Sequence, residues 1–360
     1  MNKTLTALLL LLIYAQTSGA QQKITLLFAG DLMQHQAQID AARTDSGYCY
    51  DECFKYVRDE IEKADIAVAN LEVTLGGKPY SGYPRFSAPD EYLHAIKKAG
   101  FDVLLTANNH CLDTGKDGLE RTYAQLDAAR IRHAGTYPDS ISRQKQYPLC
   151  IRKNGFTIIF LNYTYGTNGI EEQQPNVVNR IDKKTILQDI RQAKAFRPDA
   201  IIACMHWGIE YQSLPEQGTR EMADWLLEQG VTHVIGTHPH VVQPIEVRNN
   251  PHHPDKNVIA YSLGNYLSNM SAKGTDGGIM VKLELAKTQG ITRLSSCCYS
   301  LVWTSRPAIS NNKNFIIYPA NATLEQLSPE EQQRMSAFMK ETRKLMNMHN
   351  EGVINEYPIQ

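Results

Sequence analysis

The sequence predicts an α/β protein whose sheet is partly antiparallel. Two observations carry this. Short apolar runs alternate with helical patterns over most of the chain, the signature of strands joined by covering helices. The last two apolar runs, 279–285 and 293–302, follow each other with no helix between them, so they read as a paired antiparallel hairpin.

Taken in order, residues 24–29 (ITLLFA) read as a strand, and 52–63 as an amphipathic helix with Phe54, Val57 and Ile61 on one face. A strand follows at 66–69, then a helix at 91–99 ended by Gly100. A strand at 103–106 leads to a helix at 119–130, and a strand at 157–161 to a helix at 184–195. The strand at 200–205 precedes a helix at 220–229, again ended by glycine, Gly230. Strands at 232–235 and 258–262 complete the alternation before the hairpin, and 324–346 reads as a mostly polar helix. Linkers are short, with no repeat and no Pro/Gly/Ser hinge, which gives one domain over 21–319 and a helical C-terminal appendage over 320–360.

Residues 1–20 have the composition of a secretory signal: Lys3, an apolar run over 5–15, and Ser18-Gly19-Ala20 at the cleavage position. The run is too short to favour a membrane span, and no later segment reaches transmembrane length. The expected location is therefore outside the cytoplasm, in the periplasm or cell envelope, or secreted. The chain of 360 residues has a formal net charge of −1, and removal of 1–20 takes away only Lys3. Such a balance makes no electrostatic case for nucleic acid. Seven cysteines, an odd number, leave at least one thiol unpaired within the chain; the Cys49/Cys53 spacing allows one link on a helical face.

In open α/β sheets chemistry collects beyond the carboxyl ends of strands. Here those positions hold Gly30-Asp31, Asn70-Leu71-Glu72, Asn108-Asn109-His110, His206-Trp207-Gly208 and Gly236-Thr237-His238-Pro239-His240. Any one of them reads as a turn or a solvated loop; five together read as one site. Carboxylate, amide and imidazole donors suit Zn²⁺, Mn²⁺ or Fe rather than Ca²⁺, which prefers oxygen. A carboxylate can bridge two ions about 3.5–4 Å apart. His238-x-His240, if extended, sends both imidazoles the same way, because strand side chains alternate with period two.

This order of motifs resembles the calcineurin-like metallophosphoesterases. More closely, with GDLM, NLE, ANNHCLDTG, HWGIEY, GTHPHVVQP and YSLGN, it resembles the CapA/PgsA poly-gamma-glutamate capsule biosynthesis branch over about 24–268. The resemblance implies a four-layer αββα sandwich with mixed sheets. It implies one or two divalent transition metal ions (Mn, Zn or Fe): Asp31 and His240 on the first, Glu72 bridging, and Asn109, His206 and His238 on the second. His110 would be the general acid, with Asp113 orienting it, and Arg85 in YPRFSAP would meet a phosphate or carboxylate. Asn265 would line the cleft. The departure is Met33, where the superfamily carries the histidine of Asp-x-His; a thioether is a poor partner for a hard ion, and His35 is the nearest replacement.

The implied function is a metal-dependent hydrolase acting in capsule or poly-gamma-glutamate biosynthesis. Its substrate would be an anionic polymer, a small phosphoester or a γ-glutamyl compound, and its partners capsule synthesis membrane proteins. The alternative is an envelope assembly factor that keeps the site for binding without catalysis.

Overall fold

The computed structural model describes residues 21–250 and 255–359. The expected signal segment, 1–20, lies outside them. Two mixed sheets face each other. The first has nine strands, with the path Ile316–Pro319, Ile291–Ser305, Gly277–Thr288, Gln22–Leu32, Ile66–Leu71, Val103–Leu105, Arg132–Ala134; Asn265–Leu267 and Asn355–Glu356 pair beside it. The second has six, in the order Ile245–Asn249, Lys256–Ala260, His233–Thr237, Ala200–His206, Phe156–Thr164, Leu149–Lys153. Gln22–Leu32 pairs parallel with Ile66–Leu71 and antiparallel with Gly277–Thr288, so one strand joins the wound half to the hairpin half.

The period-two pattern of the first strand explains why helices cover both outer faces. Leu26 and Phe28 enter the core between the sheets, where Phe28 meets Phe160 at 6.4 Å between ring centroids. Leu27 and Ala29 point the other way, into a second core with Phe54, Ile61, Leu93 and Ile96. A strand buried on both faces must be apolar throughout, as ITLLFA nearly is. On the far side, Lys183–Ala195 and Gln217–Glu228 bury Ile186, Ile190, Ala223 and Leu226. The layers are helix, sheet, sheet, helix.

Two expected helices are broken. Residues 52–63 form a 3₁₀ turn, Asp51–Phe54, and a short helix, Arg58–Lys63. The junction holds Tyr56 and Val57, aromatic and β-branched residues that cost helix propensity, and Val57 instead donates to the Phe54 carbonyl in an i to i−3 bond. Towards the C-terminus a 3₁₀ turn, Leu324–Gln326, precedes the helix Pro329–His349. A capping box starts that helix: the Ser328 hydroxyl accepts from the Glu331 N–H, and the Glu331 carboxylate accepts from the Ser328 N–H. Its Met335, Phe338, Met339 and Met346 join the intersheet core, and the strand Asn355–Glu356 pairs with Ile291–Ser305. All seven cysteines are free thiols, so the Cys49–Cys53 link is not formed; Cys53 is buried and Cys49 exposed.

Candidate metal centre

The register of both sheets brings the five strand ends to one edge. Asp31 lies opposite Asn70 on one side and Asn265 on the other. In the second sheet His206 lies opposite Thr164 and Thr237. Glu72 follows the end of Ile66–Leu71, Asn109 follows Val103–Leu105, and His238 and His240 follow His233–Thr237. Donors from both sheets therefore meet across the gap between them.

Two glycines permit this closeness. A Cβ on Gly30 would stand 1.9 Å from the Gly264 carbonyl oxygen, the acceptor of the Asp31 N–H. A Cβ on Gly236 would stand 2.0 Å from the Tyr261 carbonyl oxygen. Side chains larger than hydrogen would force the strand ends apart.

Asp31, Glu72, Asn109, His206, His238 and His240 are all buried. Their donor atoms form two groups within 4.8 Å: Asp31, Glu72 and His206, and Glu72, His238 and His240. Glu72 is common to both. Its Oε1 lies 3.8 Å from His206 Nε2 and 3.8 Å from His240 Nε2, yet accepts no hydrogen bond. Asp31 Oδ2 and His238 Nδ1 are likewise buried without a hydrogen bond. His240 Nδ1 is 3.3 Å from Asp31 Oδ2 but also faces Asn265 Oδ1 at 3.0 Å. Buried polar atoms without partners are rare, and several converging on one point need a cation or water to satisfy them. Two donors on one ion stand roughly 3–4 Å apart given bonds near 2.1 Å, so the residues present fit divalent metal.

Neighbours hold the donors in place. Asn70 Nδ2 donates to Asp31 Oδ1 (2.7 Å) and Glu72 Oε2 (3.1 Å), and Asn108 Nδ2 donates to the Leu71 carbonyl (2.7 Å). Thr237 Oγ1 meets His206 Nδ1 at 3.0 Å, and Asn109 Oδ1 accepts from or faces His206 Nε2 at 2.8 Å. Asn265 spends its amide N–H groups on the Thr275 carbonyl and Met270 Sδ, so its oxygen takes the His240 Nδ1–H and leaves His240 Nε2 as the free donor.

The electrostatics of the cluster suit a divalent cation. Burial and the Asp31 charge push Glu72 well above the usual carboxylate range. Burial holds His206 well below its ordinary value and lowers His238 to about 3, so both imidazoles stay neutral donors. Burial also pulls on His240, but the nearby Asp31 carboxylate outweighs it and raises that histidine.

The His-x-His segment is not extended. His238 has φ 101° and His240 φ 58°, both in the left-handed region, so the expected period-two geometry is wrong although the imidazoles do converge. Tyr211 N–H donates to the Pro239 carbonyl between them and fixes the bend (2.8 Å). Such backbone strain collects at functional sites, where surrounding structure sustains it.

His110 Nδ1 lies 2.7 Å from Asp113 Oδ2, which also accepts from the Phe86 N–H, and the Phe86 ring packs edge-on to His110 at 4.6 Å. Arg85, next to Phe86, is exposed and its guanidinium has no partner among the described residues. Met33 is buried in the apolar core, and its carbonyl accepts from Tyr92 and Gln38. His35 caps the helix Gln36–Ala42, packs on Phe86 and is lowered to about 4 by burial; it joins neither donor group. Burial pushes the Cys111 thiol up to about 12, which disfavours it as a nucleophile.

Sequence reading gave no separate role to Asn70 or Thr237 and passed over Asn168 and two tyrosines. Asn168 Oδ1 accepts from Asn109 Nδ2 at 3.1 Å. Half-exposed Tyr165 packs on His238 at 4.5 Å, and half-exposed Tyr211 faces His240 at 6.3 Å. Asn70 opens NLE and Glu210-Tyr211 close HWGIEY, so the signal was present in motifs already quoted.

Two facing mixed sheets, flanked by helices and carrying carboxylate, amide and imidazole donors at one edge, make an α/β sandwich with a candidate metal centre. The chain belongs to the bacterial capsule synthesis protein PGA_cap family, whose model matches residues 25–270. It is 27% identical over 271 residues to the PGA biosynthesis protein CapA of Bacillus subtilis, covering 72% of this chain and 67% of that one. It is 26% identical over 280 residues to the capsule biosynthesis protein CapA of Bacillus anthracis, covering 73% of this chain and 64% of that one. The matched region thus spans about two thirds of these relatives. Among solved structures, the calcineurin-like phosphoesterase YfkN from Bacillus subtilis aligns with 90% of this chain and 99% of its own (TM-score 0.45, 14% identity). A phosphatase from Mycoplasma pneumoniae aligns with 80% of this chain and 96% of its own (TM-score 0.44, 14% identity).

Proposed function

We propose that this protein is a metal-dependent hydrolase acting on an anionic capsule polymer, poly-gamma-glutamate or a related γ-glutamyl or phosphoester compound, at the cell envelope. The observation that supports it most is Glu72, common to two buried donor groups, with a carboxylate oxygen that no protein donor satisfies. Asp31, Glu72, Asn109, His206, His238 and His240 would hold one or two divalent ions. A divalent ion there supplies Lewis acidity, acidifying a water and neutralising charge that builds on a phosphoryl or acyl oxygen.

The remaining steps belong to side chains. Asp113 holds the Nδ1–H of His110, which leaves Nε2 to carry a proton to the leaving group. Asn168 steadies Asn109, Asn265 sets the tautomer of His240, and Thr237 orients the His206 ring. Arg85, unpaired on the rim, is free to pair with a carboxylate or phosphate of the substrate. Export rests on the signal-like sequence of residues 1–20. No helix among the described residues is long and apolar enough to cross a membrane, so contact with capsule synthesis membrane proteins would be through the folded surface.

The experiment is turnover of phosphodiester and γ-glutamyl peptide panels by purified protein loaded with Mn²⁺, Zn²⁺ or Fe²⁺. Turnover with at least one ion, lost in His238→Ala, supports the proposal. No turnover with any ion rejects it. A second reading, a polymer assembly factor without catalysis, is favoured by Met33, which leaves the site one imidazole short of the superfamily pattern. It predicts that site variants restore surface polymer to a deletion strain as well as the native gene does.

A further inference from the structure

A groove beside the donor cluster contains none of its residues. It has a volume of about 730 Å³ and lies between the C-terminal helix Pro329–His349 and the loops carrying Tyr211, Val241 and residues 271–276. That size is typical of sites that bury a small-molecule ligand or a short oligomer. The groove begins where the metal centre ends: Val241 follows His240 directly, and Tyr211 faces the His240 ring at 6.3 Å. Its far wall is tied to the same histidine. Asn265, whose oxygen takes the His240 Nδ1–H, donates to the Thr275 carbonyl at 2.7 Å.

The lining combines methylene-compatible and cationic surface. Phe338, Leu345 and Met348 supply the apolar wall, with Met348 64% exposed. The two acidic side chains are already engaged: Asp276 Oδ2 accepts from Trp303 Nε1 at 2.9 Å, and Glu341 stands 3.8 Å from Lys273 Nζ. Lys344 has no ion-pair or hydrogen-bond partner among the described residues. Lys273, Arg334 and Lys344 against Asp276 and Glu341 leave the lining with one net positive charge.

From these features we infer that the groove is a subsite for the part of an anionic polymer chain that extends beyond the bond held at the metal centre. The occupant is a strand that alternates methylenes with carboxylates, so that apolar wall and ammonium are both used. This rests on the proposed function, because the groove has meaning as a subsite only if the centre holds the same chain. Its contribution is to length selection: long chains reach Lys344 and short ones do not. Lys344, on a helix beyond the donors, acts on binding and not on the bond being broken.

The test uses the full metal-loaded protein and fluorescein-labelled γ-glutamyl oligomers, a dimer and a decamer, titrated by fluorescence anisotropy. The native protein should bind the decamer at least 10-fold more tightly than the dimer. Lys344→Glu, which reverses the unpaired charge, and Ala337→Trp, which fills the groove from its helical wall, should each weaken the decamer about 10-fold and leave the dimer within twofold. A decamer bound tightly by all three proteins overturns the groove and leaves the metal centre's reading intact. So does equal affinity for dimer and decamer on the native protein. Binding of palmitate that the decamer does not displace, and that Ala337→Trp abolishes, would assign the groove to a lipid chain instead. Failure of the metal-loaded protein to bind either oligomer removes the polymer reading and this inference together.

Discussion

Replacing Glu72 by glutamine should stabilise the metal-free protein and abolish its stabilisation by metal. Glu72 is fully buried, accepts one bond from Asn70, and shares its pocket with the Asp31 carboxylate. Burial and that neighbouring charge raise Glu72 above its ordinary value of 4.5. A carboxyl raised in the folded state favours folding fully below about pH 4.5, and the advantage is lost as pH climbs through the folded value. Glutamine keeps the shape and never ionises. The variant should therefore match native stability near pH 4 and exceed it increasingly towards pH 7.5. Relieving a buried, uncompensated charge is worth about 1–4 kcal/mol. Metal narrows or reverses the gap, since an ion at 100 times its Kd adds about 2.7 kcal/mol to the native protein alone. Urea denaturation at pH 4 and 7.5, in chelator and in excess Mn²⁺ or Zn²⁺, measures all four corners, with an unchanged m-value securing the comparison. A metal-free Glu72→Gln protein less stable than native at pH 7.5 would refute the reasoning, as would equal stabilisation of both proteins by metal.

Asn265→Ala, which frees the His240 tautomer, should weaken metal affinity by about 10–100-fold in isothermal titration while preserving the fold by circular dichroism. Asp113→Asn should lower kcat by about 10²–10⁴ with KM and metal content unchanged in steady-state assays, because only the proton-carrying His110 loses its orienting partner. Arg143→Ala, away from the centre, strands buried Asp189 and should cost about 3–5 kcal/mol in urea unfolding with no change in metal content.

The strand ends were legible because two independent patterns agree there. ITLLFA, AVAN and AIIACM are apolar runs of strand length, and each stops at a polar residue with ligand chemistry. Asp31, Glu72, Asn109, His206, His238 and His240 do converge in the structure, as that coincidence suggests. The conformation of the His-x-His loop was not legible. Positive φ at His238 and His240 depends on the Tyr211 N–H reaching Pro239 from a loop some thirty residues earlier in the chain. Asn70 was read as a neighbour of Glu72 rather than as the clamp on two carboxylates, because that role needs the register of two strands. The groove lay beyond reach for the same reason. A polar-looking tail hides Met335, Phe338, Met339 and Met346, and only tertiary packing sets them against the intersheet core.

The most direct test of the central claim is the metal content of purified protein by inductively coupled plasma mass spectrometry after loading and dialysis. The shared Glu72 predicts one or two Mn, Zn or Fe ions per native chain, and their loss from both Glu72→Gln and His238→Ala. A native chain that retains no ion, or a Glu72→Gln chain that retains the native number, would contradict it.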